Sequence, residues 1–113
     1  MGKVKYIPAR GDIVWIDFDP TKGHEQSGRR PAIVVSLDAY NRMSGRALFC
    51  PITSKVRNHI FDVLFEGEKV KGAILADQVR TMDWSKRDLV FVEKAPSVVI
   101  DDVEGKLLTL IQG

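Results

Sequence analysis

The sequence predicts a mainly β domain: a small antiparallel barrel, curled on itself, with one helix laid against it near the C-terminal end. Three observations carry this. Short runs rich in β-branched and aromatic residues recur along residues 13–93, separated by Gly, Pro, Asp and Ser turn signals. The period then changes after Pro96, where Val99, Val103, Leu107 and Leu110 recur at helical spacing. At 113 residues the chain can bury one ordinary core and not two, so a single domain spanning 1–113 is expected.

The elements follow in order. Arg10-Gly11-Asp12 introduces Ile13–Phe18, a β-branched and aromatic run suited to a strand. Asp19-Pro20-Thr21-Lys22-Gly23 opens a loop, and Pro31–Ser36 is a second strand, apolar almost throughout and therefore central. Asp38–Met43 reads as a helical turn capped by Asp38, closed by Ser44-Gly45. Arg46–Ile52 is the third strand, followed by Thr53-Ser54 and a basic loop, Lys55–His59. Ile60–Phe65 is the fourth, turned by Glu66-Gly67-Glu68-Lys69. Val70–Leu75 and Val79–Met82 are a fifth run with an interruption at Ala76-Asp77-Gln78, and Leu89–Glu93 closes the series. In the terminal helix Ile100 and Ile111 widen the apolar stripe, and Gly105 costs about 1 kcal/mol relative to Ala unless it permits close packing.

Composition narrows the class. A chain 44% hydrophobic and 28% charged is that of a globular protein, and no apolar run approaches the roughly 18 residues of a membrane span. The N-terminal residues lack the apolar stretch of a signal peptide, and a lone cysteine, Cys50, fits a reducing compartment, so the cytoplasm is expected. Cys50 lies within an apolar run and reads as a buried, inert thiol. His24 and His59 are far apart, with no cysteine at ligand spacing, so no metal and no cofactor is expected. The net charge of +2 is small, but its distribution is uneven: residues 1–60 hold ten Lys/Arg against five Asp/Glu, and residues 61–113 hold seven against ten. A basic N-terminal half can steer a polyanion toward one face.

The most chemically loaded stretch is Gly23-His24-Glu25-Gln26-Ser27-Gly28-Arg29-Arg30-Pro31, which sets an imidazole, a carboxylate, an amide and two guanidiniums between two strands. Such a loop holds proton-transfer groups and anion-binding groups on a rigid scaffold. Asp17-Phe18-Asp19-Pro20-Thr21-Lys22-Gly23-His24-Glu25-Gln26, followed by Gly28 and Arg30-Pro31, resembles the MazF/PemK toxins, the endoribonuclease components of bacterial toxin–antitoxin pairs. The resemblance continues through Pro51-Ile52-Thr53-Ser54 and Ala76–Asp83, three separated motifs in the same order over most of the chain. It implies an SH3-like barrel, a homodimer, sequence-specific cleavage of single-stranded RNA or mRNA, and a MazE-like antitoxin whose acidic segment shares the RNA groove.

Cleavage of RNA without a metal requires attack of a ribose 2′-oxygen on the adjacent phosphorus. A base must take the 2′-proton, an acid must protonate the departing 5′-oxygen, and a cation must stabilise the phosphoryl oxygens. Arg30 is the leading candidate for the cation: its fork of donors matches two phosphate oxygens, and Pro31 holds its backbone extended. An ion pair with Asp17 or Asp19 is the alternative. Glu25 is either the base or an orienter of Arg30, since a loop glutamate beside an arginine is too acidic to be a good base without burial. His24 titrates near neutrality and suits proton transfer, or is an exposed loop residue. The Thr53 hydroxyl can hydrogen-bond a phosphoryl oxygen, or merely cap a turn with Ser54. The resemblance implies catalytic roles for Arg30 and Thr53 in the MazF branch and for His24 in the PemK branch, and links Glu25 to catalysis or RNA contact.

Gln26, Arg29, Asn41, Lys55, Asp77, Gln78 and Arg80 are the candidate substrate-binding residues, with Tyr40, Arg42 and the basic loop as further sources of base contacts. Asp77 either serves a site or pairs with Arg80. In the PemK branch the matching aspartate works with an arginine two residues earlier; here that position is Leu75, which favours a mechanism centred on Arg30 and Thr53. Phe18, Trp15 and Trp84 read as core or interface. Non-catalytic SH3-like toxins resembling the CcdB gyrase inhibitor share the architecture, but have no need of the His24-Glu25…Arg30…Thr53 set.

Overall fold

A computed structural model describes residues 6–18 and 28–113. Among them the order is β1 (Asp12–Phe18), β2 (Gly28–Val34), α1 (Asp38–Ser44), β3 (Arg46–Thr53), β4 (Asp62–Glu66), β5 (Lys71–Leu75), β6 (Arg80–Asp83), β7 (Val90–Lys94) and α2 (Ser97–Gln112). Two short 3-10 turns, Ala76–Gln78 and Trp84–Lys86, link the later strands. Every strand pair is antiparallel, in the order β4-β5-β3-β2-β1-β7, with β6 also pairing β3. The expected mainly β architecture with a C-terminal helix is the one observed.

The sheet curls about β3. Along one edge β3 pairs β2 from Phe49 to Pro51; it pairs β6 from Arg46 to Phe49, then β5 at Ile52 and Thr53. One strand thus belongs to two sheets and turns the chain from one into the other. Gly72 on β5 makes this possible: a Cβ there would lie 2.2 Å from the Thr53 carbonyl oxygen. Only a residue without a side chain permits that approach.

Because the sheet is curled and α2 covers its outer side, the central strands are buried on both faces. Ile13, Ile33, Cys50, Ile52 and Ile74 pack under α2 against Ile100 and Val103. Val14, Ile16, Phe18, Val34, Phe49 and Trp84 fill the concave side. This explains why β1 and β2 read as nearly continuous apolar runs: alternate residues serve two different cores. Each large side chain so buried contributes about 1.5–3 kcal/mol of transfer free energy.

Several local readings are corrected. The second strand begins at Gly28, three residues before Pro31, because Gly28, Arg29 and Arg30 pair with Phe18, Asp17 and Ile16. Asp38 is not the cap of α1: Leu37 holds that position, and the Asp38 carboxylate accepts a hydrogen bond from the Arg10 backbone N–H at 3.1 Å. Ile60 lies outside β4 and is 74% exposed. Gly105 faces open space, so close packing does not account for it.

Candidate active site

Strand pairing fixes which side chains share a face. On β1 and β2 the pairs are Ile16 with Arg30 and Asp17 with Arg29, so the two neighbouring arginines point to opposite sides. Arg29 lies beside Asp17 at 3.1 Å and Asp88 at 3.5 Å, and also donates to the Asp88 carbonyl at 2.8 Å. Of the two ion pairs that are the alternative for Arg30, the one with Asp17 is made by Arg29, and Asp19 lies outside the described residues.

Arg30 lies on the concave side with Ile16 and Ala32. Ala32 pairs with Pro51 of β3. Arg30 on β2 and Thr53 on β3 each lie two residues beyond that pair and keep its strand parity. Thr53 is almost buried, and its hydroxyl oxygen accepts a hydrogen bond from the Lys55 backbone N–H at 3.1 Å. It does cap the turn, yet the hydroxyl proton stays available to donate. Arg80, paired with Phe49, joins this face; its guanidinium stands 5.4 Å from the centre of the Phe18 ring. Its Nη1 is buried with no hydrogen-bond partner among the described residues. Phe18 and Gly28 are paired and form the two ends of the loop carrying His24, Glu25 and Gln26. Those three residues lie outside the described residues.

Next to Arg30 an open cleft of about 320 Å³ continues onto the other face of β2, between Trp15, Pro31 and Ile52 on one side and Lys69–Lys71 on the other. Trp15 is 38% exposed, not core. The signal was present in the sequence: Trp15 has the same strand parity as Asp17, which marks that face as solvated. Nothing local singled out Lys69 and Lys71, which come to the cleft from a distant turn.

The remaining candidates divide. Asn41 is fully buried: its amide donates to the carbonyls of Pro8 at 2.8 Å and Ser36 at 3.2 Å, and its own carbonyl accepts from the Trp84 indole at 3.1 Å. This polar knot holds α1 to the barrel and removes Asn41 from the set of substrate contacts. Asp77 pairs with Arg57 at 3.5 Å, and Arg57 also binds Asp62 at 2.6 Å, so the partner of Asp77 is Arg57 and not Arg80. Lys55 is exposed beside Thr53, and Gln78 closes the first 3-10 turn, half-buried. His59 is exposed, its Nδ1 accepting from the Phe61 N–H at 3.3 Å. Cys50 is buried, and burial pushes its thiol up to about 12, which leaves it protonated and inert.

A mainly antiparallel β architecture with a C-terminal helix is that of the toxin class that the motifs resemble. The family model described as "PemK-like, MazF-like toxin of type II toxin-antitoxin system" matches residues 9–111, and the chain belongs to that family. It is 45% identical over 83 residues to the Endoribonuclease toxin MazF of Escherichia coli K12, covering 74% of this chain and 75% of that protein. It is 35% identical over 107 residues to Endoribonuclease PemK of Escherichia coli, covering 90% and 80%. Among solved structures, MazF from Deinococcus radiodurans superposes with a TM-score of 0.90 at 41% identity, over 96% of this chain and 100% of that one. A MazE-MazF structure from the same organism gives 0.82 at 37% identity, over 95% and 97%.

Proposed function

We propose that this toxin-family endoribonuclease cuts single-stranded RNA at a short sequence motif without a metal ion, with Arg30 and Thr53 at the reacting phosphate. The observation that carries this is their shared face, at the foot of the loop that bears His24 and Glu25. The ribose 2′-oxygen bonds to phosphorus and the bond from phosphorus to the 5′-oxygen breaks. The 2′-proton passes to a base, and an acid protonates the 5′-oxygen, leaving a 2′,3′-cyclic phosphate and a 5′-hydroxyl. Arg30 donates to the phosphoryl oxygens as their charge grows, and the Thr53 hydroxyl donates to the same group. His24 and Glu25 divide the two proton transfers. Arg80, Gln78, Lys55 and Gln26 contact flanking nucleotides, and Trp15 offers an indole face on which a base can stack.

The partners follow from the family. The acidic segment of a MazE-like antitoxin occupies the same cationic surface, in line with the MazE-MazF complexes of the Deinococcus relative. A homodimer accounts for the apolar side chains left at the surface, among them Leu64 at 65%, Ile60 at 74% and Ile111 at 78% exposure.

The test is EDTA-treated protein against a long, weakly structured RNA, with both termini of each fragment mapped, beside an Arg30→Ala variant. Cuts at one motif with cyclic phosphate ends are expected, with kcat reduced at least about 10²-fold in the variant. Intact RNA after exposure to well-folded protein would overturn the nuclease reading and leave a passive binding toxin.

A further inference from the structure

The turn between β4 and β5 is tied to the rest of the molecule by a single side chain on β7. Glu93 accepts hydrogen bonds from three successive backbone N–H groups, those of Glu68 at 2.9 Å, Lys69 at 3.0 Å and Val70 at 3.0 Å. Gly67 lets the carboxylate come this close, since a Cβ there would meet Glu93 Oε2 at 2.5 Å. Burial works against ionisation of Glu93, yet the three N–H donors outweigh it and hold the carboxyl below its ordinary value. A carboxylate that caps three amides of one turn fixes that turn's backbone.

The two lysines flank Val70, which is buried in the core. Both line the cleft that contains Trp15, Arg29 and Arg30. Glu66 stands across the strand pair from Lys71. Cations from β2 and from this turn, with an exposed indole in the same cleft, match the phosphates and bases of a single strand of RNA.

We propose that Lys69 and Lys71 form a second phosphate-binding subsite, next to the one at Arg30, and that Glu93 is its positioning residue. The proposal rests on the reading of Arg30 and Thr53 as the cleavage centre. The subsite holds a neighbouring phosphate of the same RNA strand, and so sets how the strand lies across β2 before it reaches the cleavage centre. The lysines share one cleft with Arg30 of the cleavage centre, so RNA is the favoured ligand.

The test uses the full chain and a single-stranded oligonucleotide with 2′-deoxyribose at the cleavage position, which binds without reacting. In Lys69→Ala/Lys71→Ala the Kd is expected to rise about tenfold or more, and the slope of log K against log salt to shrink by about 0.7, the contribution of the one phosphate this subsite neutralises. On cleavable RNA, KM is expected to rise by more than kcat falls. Glu93→Gln is expected to weaken binding in the parent and to add nothing once both lysines are gone. An unchanged Kd and salt slope in the double variant would overturn the subsite. Equal weakening by Glu93→Gln in both backgrounds would overturn the positioning role, as would a fall in Tm with unaltered Kd. Loss of acidic-peptide binding with unchanged oligonucleotide affinity would assign the lysines to a protein partner instead. Failure of the parent to cleave RNA sinks the nuclease reading, while the salt slope on the unreactive strand still judges the lysines separately.

Discussion

A hydroxyl that already accepts a hydrogen bond still has its proton to give, and the bond it accepts decides where that proton points. The Lys55 N–H binds the Thr53 oxygen at the end of β3, so that one small group caps a turn and keeps a proton for the role proposed for it. Thr53→Val keeps the shape and removes the donor. It is expected to lower kcat by about 10- to 100-fold with KM less affected; equal kcat in variant and parent, with the fold intact, would reduce Thr53 to its structural role. The same scale shows how much of the site was legible in the chain. The sequence prefers Arg30 to Arg29 on the stiffness that Pro31 gives it and on the motif resemblance, and the pleat adds that the two face opposite ways, with Arg29 beside Asp17 and Asp88. Asn41 went wrong because a polar residue beside a strand looks the same in a sequence whether it meets solvent or ties two carbonyls in the core. No local pattern separates those two environments.

At the scale of elements, hydrophobic period located every strand and the terminal helix, and failed where pairing does not depend on side chains. Gly28, Arg29 and Arg30 look like loop, yet their backbones complete the ladder to β1, and a backbone ladder is indifferent to the polarity of what projects from it. Ile60 failed the other way, an apolar residue left outside its strand. In α2 the glycine has no packing reason. The space around Gly105 is open, so Gly105→Ala replaces a flexible backbone with a good helix former at no steric cost. An increase in stability of about 1 kcal/mol is expected, read as a higher urea midpoint at unchanged m. A fall in the midpoint would mean that the bare helix face at Gly105 is covered in solution, as in a dimer.

At the scale of the molecule, charge is redistributed by folding. The C-terminal half carries a net −3 along the sequence, yet it delivers Lys69 and Lys71 to the cleft that the basic N-terminal half begins. Halves of a sequence are not faces of a barrel, and the linear asymmetry understates the cationic surface. Acid acts on the whole structure through the same region. Glu93 titrates below its ordinary value of 4.5, so its contribution to stability is complete above that pH and is lost as the pH falls through the depressed value. The parent is therefore expected to exceed Glu93→Gln in urea midpoint at neutral pH, the gap closing below about pH 4.5. A gap that persists undiminished in acid would mean that ionised Glu93 is not its source.

The position of Glu93 gives that titration a topological meaning. β4 and β7 are the two ends of the sheet path, and Glu93 on β7 holds the turn that directly follows β4. The cylinder is thus fastened along its open seam by a side chain and not by another row of backbone pairing. A seam of that kind can be unbuttoned by one proton while the ladders on either side stay intact.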